Sequence, residues 1–202
     1  MRFAVLASGA GTNLQALIDR VHGREQVELA AVASDQPACR ALERARRAGV
    51  PTRGFAEDDY ADRADRDRAM VAWLREAHVE LVVLAGYMRL LSPGFLAAFP
   101  QRVINVHPAL LPSFPGVRGI EQALAYGVKV FGVTVHFVDE GVDSGAIIAQ
   151  RAIELPCATH AEEVHAALRP LEHDLLCGAV LAFGRGSVRV DPARPRRVLV
   201  DD

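Results

Sequence analysis

The chain is poor in cysteine, and that excludes covalent or metal scaffolding first. Its three cysteines, Cys39, Cys157 and Cys177, form no C-x-x-C pair and have no histidine at ligand spacing. Neither a zinc site nor a redox motif is expected, and buried free thiols in a reducing cytoplasm are the plain reading. Charge of one sign is also lacking: Lys+Arg 23 against Asp+Glu 25 gives a formal net charge of -2. That balance argues against a nucleic-acid or membrane surface. The one basic cluster, Arg194-Pro195-Arg196-Arg197, reads as a solvated tail. No apolar run reaches the ~18 residues needed to cross a bilayer. Met1-Arg2 leads straight into a strand-like run rather than a signal core. Internal repeats, low-complexity stretches and linkers are missing too, so a cytoplasmic location is expected.

What is present is a chain of 202 residues, half of them hydrophobic, enough for one α/β domain with a sizeable core. Strand-like runs fall at 2–7, 28–33, 81–85, 102–106, 130–138 and 146–153. Several are nearly continuous Val/Leu/Ala, as strands buried on both faces require. Helical patterns lie between them at about 13–22, 37–48, 59–77, 93–98 and 118–126. Ser92-Pro93 offers an N-cap with proline at the first helical position, and Gly49 and Gly127 stand where helices end. A last helix opens on the capping-box pattern Thr159-His160-Ala161-Glu162 and runs to about residue 182, with Pro170 forcing a kink or break.

This alternation predicts a doubly wound, mainly parallel, Rossmann-like sheet. The loop between 130–138 and 146–153 is too short for a crossover, so those strands form an antiparallel pair in the C-terminal half. The expected organisation is a single domain over 1–202. Its N-terminal half, 1–100, binds phosphate; 101–183 is catalytic; 184–202 is a tail. The mixed Asp/Arg run at 57–68 reads as a solvated helix face.

Three segments carry chemistry. In Asn105-Val106-His107-Pro108-Ala109-Leu110-Leu111-Pro112, strand alternation sends Asn105 and His107 to one side, and Pro108 ends the strand. Ligands of α/β sheets bind at such carboxyl ends. A carboxamide there can donate to a carbonyl oxygen as charge develops, and an imidazole can exchange a proton. Thr134 to Val138 alternates like a strand and runs into Asp139-Glu140-Gly141-Val142-Asp143-Ser144-Gly145. Asp143 in that loop can favour the protonated form of His107 and fix its orientation, although a loop aspartate can also merely cap its own turn. His136 is a structural histidine or a support behind the site. Ser8-Gly9-Ala10-Gly11-Thr12-Asn13 joins the first strand to the first helix. It suits a monophosphate. A tight turn and a dinucleotide site, with Asp35 as ribose acid, remain alternatives, the latter opposed by Leu14 where a glycine is wanted.

Together the Asn-x-His-Pro-x-Leu-Leu-Pro run and the downstream loop aspartate resemble the folate-dependent formyltransferases. Val5 to Gln15, and Ala85-Gly86-Tyr87-Met88-Arg89-Leu90-Leu91-Ser92-Pro93, narrow the resemblance to the branch acting on glycinamide ribonucleotide. It covers roughly residues 2 to 183. The resemblance implies transfer of a formyl group from 10-formyltetrahydrofolate to the amine of that ribonucleotide in purine biosynthesis. It assigns catalysis to Asn105, His107 and Asp143, with Asn105 orienting the formyl oxygen and His107 serving as the acid.

The same resemblance implies ribonucleotide contacts from Gly11, Thr12, Asn13, Arg169 and Glu172. It implies folate contacts from Arg63, Met88, Arg89, Leu90, Leu91, Asn105, Asp139, Glu140, Gly141, Val142 and Asp143. From the residues alone, Met88 to Leu91 could be core, and Arg63 could be a solvated arginine. Departures from the family pattern are Pro170 just before Glu172, Leu175-Leu176-Cys177 at the helix end, and Pro115-Gly116-Val117-Arg118-Gly119 without a histidine. No metal, nucleic acid or membrane is expected as a partner, and the assembly is a monomer or homodimer. The rivals are a formyltetrahydrofolate deformylase, a methionyl-tRNA formyltransferase and a non-enzymatic nucleotide-binding module.

Overall fold

The computed structural model describes residues 1–201, and its contacts divide the chain into two compact units, Met1–Ile104 and Asn105 onward. The first unit alternates strands and helices: β1 Arg2–Leu6, α1 Thr12–Arg20, β2 Glu28–Ser34, α2 Arg40–Arg47, β3 Thr52–Gly54, α3 Arg63–Glu76, β4 Leu81–Leu84 and α4 Pro93–Ala98. Its strands lie in the order β3-β2-β1-β4, and the pairs β2–β3, β1–β2 and β1–β4 are all parallel. Phe3 to Leu6, Leu29 to Ala33 and Leu81 to Leu84 are buried, which is why these runs carry apolar side chains on both faces. Ser92 caps α4 by accepting from the Phe95 N–H, and Pro93 occupies the first turn, as expected.

Strand β5, Val103–His107, starts in the first unit and ends in the second. The second unit then contains α5 Gly119–Tyr126, β6 Val130–Phe137, β7 Ile147–Glu154, α6 Ala161–Gly184, β8 Val188–Val190 and β9 Val198–Val200. Its strand order is β5-β6-β7, with β6 and β7 antiparallel. The expected mainly parallel α/β sheet with one antiparallel pair is therefore found. Gly145 turns the chain between β6 and β7 where a Cβ would lie 1.8 Å from the Phe137 carbonyl oxygen, so only glycine fits. Helix α6 covers β6 and β7 through Val164, Leu168, Val180 and Phe183, the last meeting Phe137 edge-on.

Several expectations are corrected. Of the kink or break expected at Pro170, the break is absent: helix α6 is continuous from Ala161 to Gly184. Pro170 and Ala166, the residue whose carbonyl loses its intrahelical partner, are both on the exposed side, where solvent is free to satisfy that carbonyl. The capping box does not form: α6 starts at Ala161 after His160, and Thr159 Oγ1 bonds His160 Nδ1 instead. The charged run 57–68 is not wholly solvated, because Arg66 and Asp67 are buried. The tail is built rather than merely solvated: β8 and β9 form an antiparallel hairpin, and Arg196 donates to the Ser144 carbonyl. Its arginines themselves are exposed, as expected. Of the three thiols only Cys177 is buried; Cys157 is exposed. Among the described residues no helix is long and apolar enough to cross a membrane.

Candidate active site

The second unit gathers three of the expected residues around the carboxylate of a fourth, Asp143. Asn105 and His107 alternate along the end of β5, and His136 lies near the end of β6. Asp143 sits in the β6–β7 loop at φ 50, a left-handed conformation that aspartate tolerates better than most residues. The loop is shaped by Asp139, whose Oδ1 accepts from the Gly141 N–H at 3.1 Å and from Ser144 Oγ at 2.6 Å. That is a turn-capping role, the one considered for Asp143. Glu140, Gly141 and Val142 form the exposed crest.

Asp143 Oδ2 is 3.3 Å from His107 Nδ1 and accepts from the Gly116 N–H at 2.7 Å. Its Oδ1 accepts from Asn105 Nδ2 at 3.4 Å and stands 3.6 Å from His136 Nε2. Burial works against this carboxylate's charge. The contact to His136, the Gly116 N–H and the neighbouring imidazole charges outweigh burial and hold its carboxyl below the usual range. His136 Nδ1 donates to the Phe137 carbonyl at 2.8 Å, and Nε2 lies 3.2 Å from Asn105 Nδ2, accepting from that amide in the neutral ring and turning to Asp143 in the protonated one. His136 is thus both a satisfied buried residue and a support for Asn105.

His107 is buried, with Nε2 donating to the Phe114 carbonyl at 2.9 Å and Nδ1 turned to Asp143. Both nitrogens face acceptors, an arrangement that the doubly protonated ring satisfies. The following segment is anchored by Thr134, whose hydroxyl donates to the Ala109 carbonyl and accepts from the Leu111 N–H, and by Gln150, which donates to the Leu111 carbonyl. Gly119 packs against the ring; a Cβ there would lie 3.2 Å from His107 Nε2. One expectation is refined here. The Asn105 N–H groups meant for a formyl oxygen are directed to Asp143 and His136, through long contacts that a ligand can displace.

The first unit holds the other groups. Gly11 precedes α1 at φ 69, and its glycine is demanded by α2 as well as by any ligand: a Cβ would meet Ala41 Cα at 2.8 Å. The loop's carbonyls are drawn toward α2, Gly9 accepting from the Ala41 N–H and Ala10 from Arg44 Nε. The first turn of α1 has no side-chain cap and no acidic residue, so its N–H groups suit an anion. Asp35 does not stand ready for a ribose. It accepts from Ser8 Oγ, from Gln36 Nε2 at 3.2 Å and from Arg89 Nε at 3.2 Å.

Met88, Arg89 and Leu90 are exposed, which removes the core alternative for them. Among the described residues no hydrogen bond or ion pair joins the exposed Arg63 to this segment; Arg66, one turn further on, bonds the Leu90 carbonyl. Arg169 is exposed and Glu172 half-buried in α6, on either side of Pro170. Sequence reasoning missed the Phe114 carbonyl, the Gly116 N–H and the Arg66–Asp67 pair. The first two are backbone groups with no side-chain signal. The pair had one: Arg66 continues the i, i+4 stripe of Met70 and Leu74.

Comparison with known proteins places the chain in a family. The formyl transferase family model matches residues 1–180. Phosphoribosylglycinamide formyltransferase of Bacillus subtilis is 42% identical over 173 residues, covering 85% of this chain and 89% of the other. The Mycobacterium tuberculosis protein of the same name is 43% identical over 189 residues, with 94% and 87% covered. The crystal structure of glycinamide ribonucleotide transformylase 1 from Symbiobacterium toebii superposes with a TM-score of 0.95 at 43% identity, covering 100% of this chain and 94% of that one. The chain belongs to the formyl transferase family.

Proposed function

We propose that this chain is a phosphoribosylglycinamide formyltransferase, moving the formyl group of 10-formyltetrahydrofolate to the amine of glycinamide ribonucleotide in purine biosynthesis. The observation that carries the proposal is the Asn105–His107–Asp143 cluster at the end of β5, in a chain whose full-length relatives bear that name. The amine attacks the formyl carbon, and the carbonyl π electrons move onto oxygen. Asn105 Nδ2 exchanges its long internal contacts for that oxyanion, where a preorganised donor acts most strongly. His107 releases the Phe114 carbonyl and delivers a proton to the departing folate nitrogen as its bond to the formyl carbon breaks. The oxyanion re-forms the carbonyl as that bond breaks, and the amine nitrogen returns one proton to His107, so the charges balance. Asp143 holds the imidazole in place and matches its charge.

The first turn of α1, with Gly11, Thr12 and Asn13, takes the ribonucleotide phosphate, and Arg169 and Glu172 are further ribonucleotide contacts. Met88 to Leu91 and the 139–143 loop bind the folate. Arg63 serves as a peripheral folate contact. In this reading residues 1–100 hold phosphate, 101–183 carry catalysis and 184–202 form a tail. The protein works in the cytoplasm as a monomer or homodimer, without metal.

Ligand-dependent melting tests the choice of acceptor. Glycinamide ribonucleotide at about 100 times its Kd should stabilise the fold by about 2.7 kcal/mol. A hydrolase that needs only the folate shows a shift with folate and none with the ribonucleotide. Absence of any ribonucleotide shift would refute the proposal.

A further inference from the structure

The exposed segment Met88–Leu91 has few apolar anchors, yet it is tied down through the backbone of Met88, Leu90 and the following Ser92 and through the Arg89 side chain. Met88 and Leu90 side chains are 67% and 59% exposed. The Met88 N–H donates to Ser8 Oγ at 2.9 Å, and Ser8 in turn donates to the buried Asp35. Arg89 reaches Asp35 at 3.2 Å and Glu57 at 3.0 Å. The Leu90 carbonyl accepts from Arg66 Nη2 at 3.4 Å. The Ser92 N–H donates to Asp67 Oδ2 at 2.6 Å. Arg66 and Asp67, neighbours on α3 and about as buried as Leu74, bind each other through Nε at 3.1 Å and Nη2 at 2.8 Å on Oδ1. Asp67 thereby divides its oxygens, one for the arginine and one for the segment.

A buried ion pair of this kind is a poor source of stability, since apolar residues of similar volume often do as well or better. What apolar residues cannot do is hold a carbonyl and an N–H two residues apart in a set orientation. We infer that Arg66 and Asp67 are positioning residues, clamping the backbone of Met88–Leu91 in the shape that reads a folate-type donor. A pteridine edge alternates hydrogen-bond donors and acceptors, so it is matched by backbone groups only when their directions are fixed. The Ser8–Asp35 pair is the second jaw of the clamp. This inference rests on the reading of Met88–Leu91 as the folate segment.

The test compares Asp67→Asn and Arg66→Lys with the parent. Asp67→Asn removes the charge that Arg66 needs; Arg66→Lys keeps a cation but cannot serve both the carboxylate and the Leu90 carbonyl with a planar fork. The readings are KM for 10-formyltetrahydrofolate, KM for glycinamide ribonucleotide, kcat at saturating donor, and melting temperature. The clamp predicts a donor KM raised at least tenfold in Asp67→Asn and several-fold in Arg66→Lys. Ribonucleotide KM stays within twofold, and kcat falls far less than kcat/KM for the donor. Should Asp67→Asn fail to fold, Arg66→Lys decides alone. A folded variant with a lower melting temperature and the parent's donor KM overturns the inference, because the pair is then merely structural. Amide hydrogen exchange of the parent with and without folic acid separates this from the underlying reading. Protection at 88–92 together with unchanged KM values overturns the clamp alone; no protection there overturns the folate segment and the clamp with it.

Discussion

Replacing Asp143 by asparagine isolates the carboxylate's charge at nearly constant shape. The Gly116 N–H at 2.7 Å demands an oxygen on the side shared with His107, so the new amide keeps its oxygen there. Its NH2 then faces Asn105 Nδ2 at the former 3.4 Å contact, donor against donor, and Asn105 is displaced. The 3.3 Å contact with His107, an ion pair when the ring carries its second proton, is also lost. At an effective dielectric of about 20 that attraction has a ceiling of about 5 kcal/mol. A neutral hydrogen bond from the same site recovers about 1 kcal/mol. The remaining ~4 kcal/mol corresponds to roughly 10³-fold in rate, and loss of charge assistance alone to at least about tenfold. Single-turnover formyl transfer at saturating substrates measures the step directly. A folded Asp143→Asn variant within threefold of the parent rate would show that Asp143 only shapes its loop, and the mechanism would fail.

His107→Ala should nearly abolish turnover while ribonucleotide still raises the melting temperature; retained turnover would remove His107 from catalysis. Asn105→Ala should lower kcat by about 10²–10³-fold, the effect of one oxyanion donor, with folate binding retained as judged by calorimetry. Acid unfolding should register the depressed carboxyl of Asp143. Its contribution is fully present above the ordinary value of 3.8 and is lost as pH falls through the lowered folded value. The stability gap between the parent and Asp143→Asn, read by urea melts from about pH 5 downward, should therefore be open at that pH and close as pH falls. Gly145→Ala should fail to fold, since its Cβ would overlap the Phe137 carbonyl, whereas Gly178→Ala, with open space at that point, should melt at or above the parent temperature.

The buried strands were legible because each is a short run of Val, Leu and Ala bounded by glycine, proline or polar residues. The Asn105–His107 pair was legible for a related reason: Pro108 cannot continue a central strand, so the two side chains had to stand at its end. Strand β3 was not legible, being three residues, Thr52-Arg53-Gly54, on an edge where no apolar run is needed. The β8–β9 hairpin failed for the same reason, its two three-residue strands lying either side of a proline-containing turn. Pro170 does not break the helix because a lost helix bond on a solvated face is tolerated, and sequence alone does not say which face is solvated. Arg66 and Asp67 read as surface charge because their partners, the Leu90 carbonyl and the Ser92 N–H, belong to a segment far along the chain. Phe114 was invisible because its part in the site is played by a carbonyl that every residue has.

The most direct measurement is the fate of a labelled formyl group. The purified protein is given 10-formyltetrahydrofolate labelled on the formyl carbon, with glycinamide ribonucleotide, water and methionyl-tRNA all present as acceptors. The account predicts label in formylglycinamide ribonucleotide, dependent on His107 and Asn105, with little in free formate and none in the tRNA. Label that accumulates as formate at the same rate whether or not the ribonucleotide is present, or that passes to the tRNA, would contradict it.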